Sequence, residues 1–476
     1  MKPLVTMREA LADPDLFGTI LAGDTWAAWR VVLIASMGET LTRDERTLFE
    51  ALTGRPREPG EMVEELWAIV GRRGGKTRAI AVLGAYLAAL CDHAGVLAPG
   101  ERGSLPIMSA SMAQAQKCFS YVLGIFTEVP LFAREVDRQT SDTIGLSTRI
   151  DIEVRPASYR TIRGSTAIAA IGDEVAFWLG DYSSANPDSE ILNAVRPALA
   201  TTGGPLICIS SPYARRGEMW NAFRRYYGAA GDPRILVAKG PSRTFNPGLS
   251  QKVVDRAIER DAASASAEYL AEFRTDVEAF LGRDVIDKVT ALGRVELPPD
   301  SRKRYVAFVD PSGGSADSFT LGIAHREGEG AVLDAVRERK PPFSPDGVVV
   351  EFAELLKAYG IHSVTGDRYG GEWPRERFRA AGISYEPSER SKSEIYSAFL
   401  PLVNSGRAEL LENERLANQL SALERRVARG GRDSIDHPPG GHDDLANVAA
   451  GAVVLAAGGG GFDANIWLRA FDVRAA

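Results

Sequence analysis

The spacing of hydrophobic positions divides the chain into parts, of which the first is helical. Residues 1 to about 65 carry apolar side chains at helical intervals, as in LFGTILAGDTWAAWRVVLIASMG, and TRDE at 42–45 has the pattern of a capped helix start. The pattern predicts an accessory helical lead-in over residues 1–65.

From residue 66 the pattern changes to short apolar runs that alternate with helical stretches. The apolar runs are LWAIV, LPIMSAS, AIAAIGDE and PLICISS, and the helical stretches include KTRAIAVLGAYLAALC and MAQAQKCFSYVLGIF. Such alternation is typical of a parallel sheet wrapped by helices. We therefore expect an α/β domain over residues 66–244.

A charged helical segment separates this domain from a second one. Residues 245–295 have a helical and charged pattern, end close to the proline-rich ELPPDSRKR, and predict a lid or linker. The runs RYVAFVD, FTLGIAH and GAVLDAV then form a strand series typical of a meander, followed by helices and short strands. We expect a second α/β domain over residues 296–476, because a chain of 476 residues suits two or three domains.

Composition and charge narrow the class of protein. Hydrophobic residues make up 45% and charged residues 25% of the chain, as in ordinary globular proteins, and no uncharged apolar run is long enough to cross a bilayer. Because no secretory signal pattern opens the chain, we expect a soluble cytoplasmic protein whose Cys91, Cys118 and Cys208 are buried reduced thiols. A net charge of −7 argues against a protein that coats nucleic acid, although arginine clusters such as YARRG could form local basic stripes.

A glycine-rich turn between a predicted strand and a predicted helix indicates a nucleotide site. The turn GRRGGKT lacks the first glycine of the pattern G-x-x-x-x-G-K-[ST], since position 70 is valine. Backbone amides at the helix start would bind phosphate, Lys76 would reach the terminal phosphates, and Thr77 would offer its hydroxyl to Mg²⁺. The residues predicted to bind the nucleotide are Gly71, Arg72, Arg73, Gly74, Gly75, Lys76 and Thr77.

An acidic pair at the end of a later predicted strand is the second feature that indicates a nucleotide site. The run AIAAIGDE ends in Asp173 and Glu174, about 100 residues after the turn. One carboxylate, Asp173, can hold Mg²⁺ while its neighbour Glu174 polarises the attacking water. Together the turn and the acid pair predict ATP hydrolysis.

Further carboxylates in the second domain indicate a metal-dependent phosphodiesterase. Asp310 and Asp367 each end an apolar strand, and Asp443 and Asp444 stand at the start of a strongly helical run. Such distant acids can converge only through the fold, and they would repel one another unless cations lay between them. We expect two Mg²⁺ or Mn²⁺ ions there. Asp443 and Asp444 are both candidate ligands, with Asp444 preferred, and Asp443 could instead serve mainly the helix start.

These motifs resemble those of the large terminase subunits of tailed bacteriophages, the motors that pack DNA into capsids. GRRGGKT fits their variant loop [GS]-R-x-x-G-K-[ST], and SYRTIRGSTAIAAIGDEVAFW and ICISSPYARRGEMW are similar to their acidic-pair and coupling segments. The order strand-Asp, strand-Asp and HDD-helix is similar to that of their RNase H-like nuclease domain. The resemblance covers residues from about 66 to 455.

The resemblance implies a P-loop ATPase domain followed by an RNase H-like nuclease domain, with ATP, Mg²⁺ and, at the nuclease site, possible use of Mn²⁺. Arg163 matches an arginine finger that reaches a neighbouring subunit, and Arg72 and Arg73 would lie beside the phosphates as sensors in cis. The implied partners are double-stranded DNA, a portal protein, a small terminase subunit and further copies in a ring, without a membrane. The implied location is the host cytoplasm, transiently at the procapsid portal.

Two other functions remain open from the residues alone. A helicase-type nucleic-acid ATPase would use the loop and Asp173 with Glu174, but it would leave the acids of the second domain unexplained. An RNase H-like nuclease with a decayed ATPase would account for the irregular loop. A structural capsid component would have no use for GKT.

Overall fold

A computed structural model describes residues 1–157, 165–178, 187–228, 231–314, 317–367, 372–426, 433–438 and 441–458. The described residues form two compact units that divide between Thr275 and Asp276. Among these residues, no helix is both long enough and apolar enough to cross a membrane. Cys91, Cys118 and Cys208 are buried and unbridged, as expected.

The first unit is built on a sheet with parallel strands at its centre. Its strands are β1 (Lys2–Pro3), β2 (Glu65–Val70), β3 (Cys91–Asp92), β4 (Gly103–Ser109), β5 (Val136–Gln139), β6 (Thr143–Leu146), β7 (Ile150–Pro156), β8 (Ala170–Asp173), β9 (Leu206–Ser210) and β10 (Ile235–Gly240). Eight of them form one sheet in the order β10-β2-β9-β8-β4-β7-β6-β5, and β1 pairs with β3 separately. The pairs from β10 to β7 are parallel, and β6 and β5 add an antiparallel edge.

Helices cover this sheet, and the N-terminal helices belong to the same core. The helices are α1 (Met7–Ala12), α2 (Ala27–Ser36), α3 (Arg43–Thr53), α4 (Lys76–Ala89), α5 (Met112–Glu128), α6 (Pro130–Glu135), α7 (Pro187–Ala200), α8 (Gly217–Tyr226), α9 (Ser242–Phe245), α10 (Gln251–Arg260) and α11 (Ala262–Leu270), with 3-10 turns at Asp24–Trp26 and Val175–Phe177. Phe17, Trp29 and Phe49 share one hydrophobic cluster with Leu66 and Ile80. Residues 1–65 are therefore an integral part of this unit rather than an accessory lead-in.

The second unit combines a seven-stranded mixed sheet with a small three-stranded one. Its strands are β11 (Val277–Ala279), β12 (Thr290–Ala291), β13 (Tyr305–Asp310), β14 (Phe319–Glu327), β15 (Gly330–Arg339), β16 (Ser363–Gly366), β17 (Ser384–Pro387), β18 (Ala408–Leu411), β19 (Glu424–Arg426) and β20 (Ser434–Asp436). The larger sheet has the order β12-β18-β15-β14-β13-β16-β17, and the smaller one has the order β11-β19-β20. The antiparallel series β13, β14 and β15 is the meander that the sequence predicts.

One helix lies closely against the centre of the larger sheet. The helices of this unit are α12 (Arg283–Val289), α13 (Pro345–Ala358), α14 (Glu372–Ala380), α15 (Lys392–Asn404), α16 (Glu414–Ala422) and α17 (Asp444–Ala457). α17 packs on β13, β14 and β15. A Cβ atom added at Gly451 would lie 2.4 Å from the ring of Phe308, so only glycine permits this approach of the helix to the strand.

The boundary between the units differs from the predicted one. The segment 245–295, expected as a single lid or linker, is divided between the two units. Phe245 packs on Trp29, with ring centroids 4.8 Å apart, and so joins the first core. Phe280 and Ile286 join the core of the second unit, and β11 pairs with β19. Periodicity shows that these helices have an apolar face, but it does not show which core that face joins.

Candidate active sites

The predicted phosphate loop connects β2, which lies between β10 and β9 in the parallel part of the sheet, to α4. α4 begins at Lys76, directly after Gly75, whose backbone is left-handed with φ +80°. A Cβ atom at Gly75 would lie 2.8 Å from the ring of Trp26, so the position requires glycine for both conformation and space. The strand, turn and helix predicted from the sequence are thus present, and the loop stands at a helix N-terminus, where backbone amides can bind an anion.

Side chains from distant parts of the first unit hold the carbonyl groups of this loop. Trp29 Nε1 donates to the Gly74 carbonyl at 2.6 Å. Ser242 Oγ donates to the Arg72 carbonyl at 2.6 Å, and Asn246 Nδ2 donates to the Arg73 carbonyl at 2.9 Å. These contacts fix the loop, and no local sequence signal identifies the three donors.

Lys76 lies among the groups at the carboxyl ends of three parallel strands. Its buried Nζ donates to the Val70 carbonyl and to Ser211 Oγ, both at 3.0 Å, and lies 3.6 Å from Glu174 Oε1. Glu174 accepts bonds from Ser210 Oγ at 2.9 Å and from the Ser211 amide at 3.3 Å. The strand β9 lies between β2 and β8, so the sheet order brings the loop, the serine pair and the acid pair to one edge.

Asp173 and Glu174 differ in environment. Asp173 is buried, and its Oδ1 has no hydrogen-bond partner among the residues that the structure describes. Burial and the charge of Glu174 raise the pKa of Asp173 to about 7, although Lys76 opposes the increase. A divalent cation would satisfy the lone oxygen and stabilise the ionised form, so this position fits a Mg²⁺ ligand. Glu174 has a left-handed backbone (φ 53°), a strained conformation of the kind found at active sites.

The two arginines of the loop, Arg72 and Arg73, have different surroundings. Arg72 NH1 lies 2.8 Å from Glu268 Oε1 on α11, and the Arg72 amide donates to the Glu268 carbonyl. Arg72 therefore has a carboxylate partner because α11 packs beside the loop, and its predicted place beside the phosphates stays a prediction. Arg73 is exposed and left-handed, with φ 65°. The predicted arginine finger, Arg163, lies outside the described residues.

In the second unit, strand pairing brings the predicted acids together. Asp310 ends β13, and Asp367 directly follows β16, its parallel neighbour, in which Gly366 pairs with Val309. On the other side of β13, Thr320 of β14 pairs with Asp310, and its hydroxyl donates to the backbone carbonyl of Asp444 at 3.0 Å. Asp310, Asp367 and Asp444 therefore meet at one edge of the sheet.

The charges of this acidic centre oppose one another. Burial raises the pKa of Asp310 to about 7, and the carboxylates of Asp444, Asp367 and Asp443 add to the increase against a hydrogen bond from Asn447. Burial and the charge of Asp443 likewise raise the pKa of Asp444 to about 6. Asp444 Oδ2 is buried and lacks a hydrogen-bond partner among the described residues. Divalent cations would fit such a set of carboxylates, because they would reduce the repulsion between the charges and provide a partner for the unsatisfied oxygen of Asp444.

The neighbouring acids Asp443 and Asp444 have different partners. Asp443 is buried, accepts a bond from Tyr396 OH at 2.8 Å and lies 3.1 Å from Lys392 Nζ. Asp443 precedes α17, but its side chain makes no capping bond. Gln419 Oε1 instead accepts from the Leu445 and Ala446 amides at 2.8 and 3.1 Å. The expectation that the Asp443 side chain mainly serves the helix start is therefore wrong, because this side chain contacts Lys392 and Tyr396 of α15 instead.

Several residues of this centre were missed by sequence reasoning. Asn447 Nδ2 donates to Asp310 Oδ2 at 2.7 Å. Asn447 stands three residues after Asp444 on the same helix, and this spacing places the two side chains on one face and could have revealed it. Thr320, Lys392 and Tyr396 reach the acids from other elements, and no local pattern marks them.

The chain has known relatives in structure but no match in sequence to a family model or a curated protein. Its structure is similar to those of phage large terminases. The large terminase of bacteriophage HK97 has 17% sequence identity and a TM-score of 0.36, over 87% of this chain and 95% of that one.

Two further large terminase structures show the range of these matches. The large terminase of a thermophilic bacteriophage, in complex with ADP, has 12% identity and a TM-score of 0.37, over 82% of this chain and 93% of that one. The large terminase nuclease of the thermophilic phage G20c with bound magnesium has 19% identity and a TM-score of 0.32, over 36% of this chain and 94% of that one. The predicted fold class, α/β with a parallel-rich sheet in the first unit, is confirmed by the strand order described above.

Proposed function

We propose that the first unit hydrolyses ATP. The backbone amides at the start of α4 and the ammonium of Lys76 would bind the phosphates. Thr77 and Asp173 would hold Mg²⁺, which supplies charge neutralisation to the phosphates when bound. Glu174, positioned by Ser210 and Ser211, would orient and polarise the attacking water. The convergence of these groups at one sheet edge supports an intact site and argues against the alternative of a decayed ATPase.

The second unit is a metal-dependent endodeoxyribonuclease in this proposal. Asp310, Asp367 and Asp444 would hold two Mg²⁺ or Mn²⁺ ions, which activate a water and stabilise the leaving oxygen of a phosphodiester when bound. Asn447 would orient Asp310 through its hydrogen bond. Because Asp443 already has Lys392 as its partner, we assign the ligand role within the acid pair to Asp444.

Together the two sites support a DNA-packaging motor of the large terminase type. The chain would hydrolyse ATP to move double-stranded DNA into a procapsid and would cut the concatemer at the start and end of packaging. It would act in the host cytoplasm, as a homo-oligomeric ring bound to the portal protein and together with a small terminase subunit. Arg163 would serve as an arginine finger for the ATP site of a neighbouring subunit. The observation that carries the proposal is that one chain has a glycine-rich loop whose lysine lies beside an acid pair and also has a converged acidic centre, since a helicase-type ATPase leaves the second centre unexplained.

A packaging assay tests this function. Purified protein would be mixed with ATP, linear double-stranded DNA, the small subunit and portal-bearing procapsids from the same virus, and the DNA protected from nuclease digestion would be measured. We expect ATP-dependent protection with the wild type and none with Lys76→Ala. ATP hydrolysis stimulated by DNA without any protected DNA would contradict the packaging role and favour a helicase-type motor.

A further inference from the structure

A second group of ligand-type side chains lies beside the acidic centre of the second unit. Asp436, His437 and Asp443 each offer one ligand atom, and these atoms lie within 4.8 Å of one another. Lys392 Nζ lies 2.6 Å from Asp436 Oδ1 and 3.1 Å from Asp443 Oδ2. A side-chain ammonium thus contacts both carboxylates of a group whose spacing would suit a metal ion.

The position of this ammonium is fixed by the start of α15. Ser391 caps the helix in a capping box with Glu394. Ser393 Oγ donates to the Ile435 carbonyl and accepts from the Ile435 amide, both at 3.0 Å, which ties α15 to β20. Lys392 is therefore held at a rigid helix start next to Asp436, the last residue of β20.

The same helix face provides the other partner of Asp443. Tyr396 follows Lys392 by four residues, a spacing that places both on one side of α15. Its fully buried ring directs the hydroxyl to Asp443 Oδ2 at 2.8 Å. Both carboxylate oxygens of Asp443 are thus engaged by α15, whereas the neighbouring Asp444 keeps a buried oxygen without a hydrogen-bond partner among the described residues.

We propose that Lys392 is a positioning residue that takes the place of a cation between Asp436 and Asp443 and so keeps Asp443 out of the metal centre. This inference rests on the proposed nuclease function of Asp310, Asp367 and Asp444. By neutralising Asp443, the ammonium reduces the repulsion within the centre, and it leaves Asp444 as the member of the pair that can bind metal.

Counting bound Mn²⁺ ions tests the inference without reference to DNA cutting. Lys392→Met removes the ammonium but keeps an unbranched apolar side chain. We expect this variant to bind one more Mn²⁺ ion per chain than the wild type, measured by the electron paramagnetic resonance signal of free Mn²⁺. Adding Asp436→Asn should abolish the extra ion. Lys288→Met, which removes an exposed ammonium from α12, is the matched control and should bind as the wild type does.

The metal dependence of cutting provides a second readout. The Mn²⁺ concentration for half-maximal plasmid cutting should fall about 10-fold in Lys392→Met, because the loss of a positive charge beside the acidic centre strengthens its attraction for divalent cations. Ethylammonium ions in the buffer should raise it again, because they can replace the missing cation. If Lys392 had only a structural role, its replacement would change the melting temperature. It would change neither this Mn²⁺ concentration nor the response of the concentration to ethylammonium.

The outcomes separate the two proposals. An unchanged ion count and an unchanged Mn²⁺ dependence in folded Lys392→Met would overturn the role of Lys392. If the methionine variant does not fold, Lys392→Gln removes the same charge, and the same extra ion is expected. Wild-type protein that binds Mn²⁺ but cuts no DNA would overturn the nuclease function alone, because the ion count decides the role of Lys392 independently.

Discussion

Replacing Asp310 by asparagine should stabilise the metal-free protein while removing the proposed nuclease activity. The substitution removes the charge but keeps an oxygen that can accept the hydrogen bond from Asn447. In the wild type, burial and three neighbouring carboxylates raise the pKa of Asp310 from 3.8 to about 7. The ionised carboxylate is therefore destabilising in the folded state when no cation is bound.

The size and pH dependence of the effect follow from this pKa. Between about pH 4 and pH 7 the folded protein keeps a proton that the unfolded chain loses, so the free energy of unfolding falls as the pH rises through this window. At pH 8 the cost has an upper limit of about 4 kcal/mol, and relaxation of a partly exposed site reduces it, so we expect about 1–3 kcal/mol. For a unit of roughly 200 residues, 1 kcal/mol corresponds to about 2–4 °C in melting temperature.

Calorimetric melts in EDTA at pH 5 and pH 8 measure the effect. The relevant unfolding transition is the one whose midpoint temperature rises when Mn²⁺ is added to the wild type. Asp310→Asn should melt at a higher temperature than the wild type at pH 8, and the difference should be smaller at pH 5. Mn²⁺ should raise the melting temperature of this variant only slightly. Asp284→Asn, which neutralises an exposed acid on α12, is the control and should change stability by no more than about 0.5 kcal/mol. A destabilised Asp310→Asn at pH 8, or an equal gain at both pH values, would refute the reasoning.

Three further predictions concern single roles in the two sites. Glu174→Gln should bind ATP normally but hydrolyse it at least about 100-fold more slowly, measured by phosphate release, and normal turnover would exclude a catalytic base there. Arg163→Ala should hydrolyse ATP slowly, and mixing it with Lys76→Ala should restore part of the rate, because the second variant donates its intact finger; mixtures without recovery would favour a role in cis. Asp443→Ala should cut plasmid DNA much better than Asp444→Ala, and the reverse order would exchange their roles.

The sequence predicted the strands, turns and helices that carry the two sites, because each of these elements is encoded by residues that are close together in the chain. A strand, glycine-rich turn and helix are encoded within residues 65–89, and acids at strand ends are visible from short apolar runs. The loop donors Trp29 and Ser242 stand far from the loop in sequence, at separations of 45 and 170 residues from their acceptors. Such contacts arise only when the helices fold onto the sheet, so no pattern in the sequence could have shown them.

The same reasoning explains which side-chain partners the sequence could not show. Asp443 and Asp444 are adjacent acids in the sequence, and only α15, which provides Lys392 and Tyr396, distinguishes their side chains. Arg72 of the glycine-rich loop pairs with the carboxylate of Glu268 on α11, and its predicted place beside the phosphates stays a prediction. In both cases the missing information was a side-chain partner from an element distant in sequence.

The central claim is that one chain carries two independent catalytic centres, and paired variants test it most directly. ATP turnover and Mn²⁺-dependent plasmid cutting would be measured on Lys76→Ala and Asp444→Ala, with a thermal melt to confirm that each is folded. We predict that Lys76→Ala loses ATP turnover but still cuts DNA, and that Asp444→Ala loses cutting but still hydrolyses ATP. Loss of both activities in either folded variant would contradict the claim.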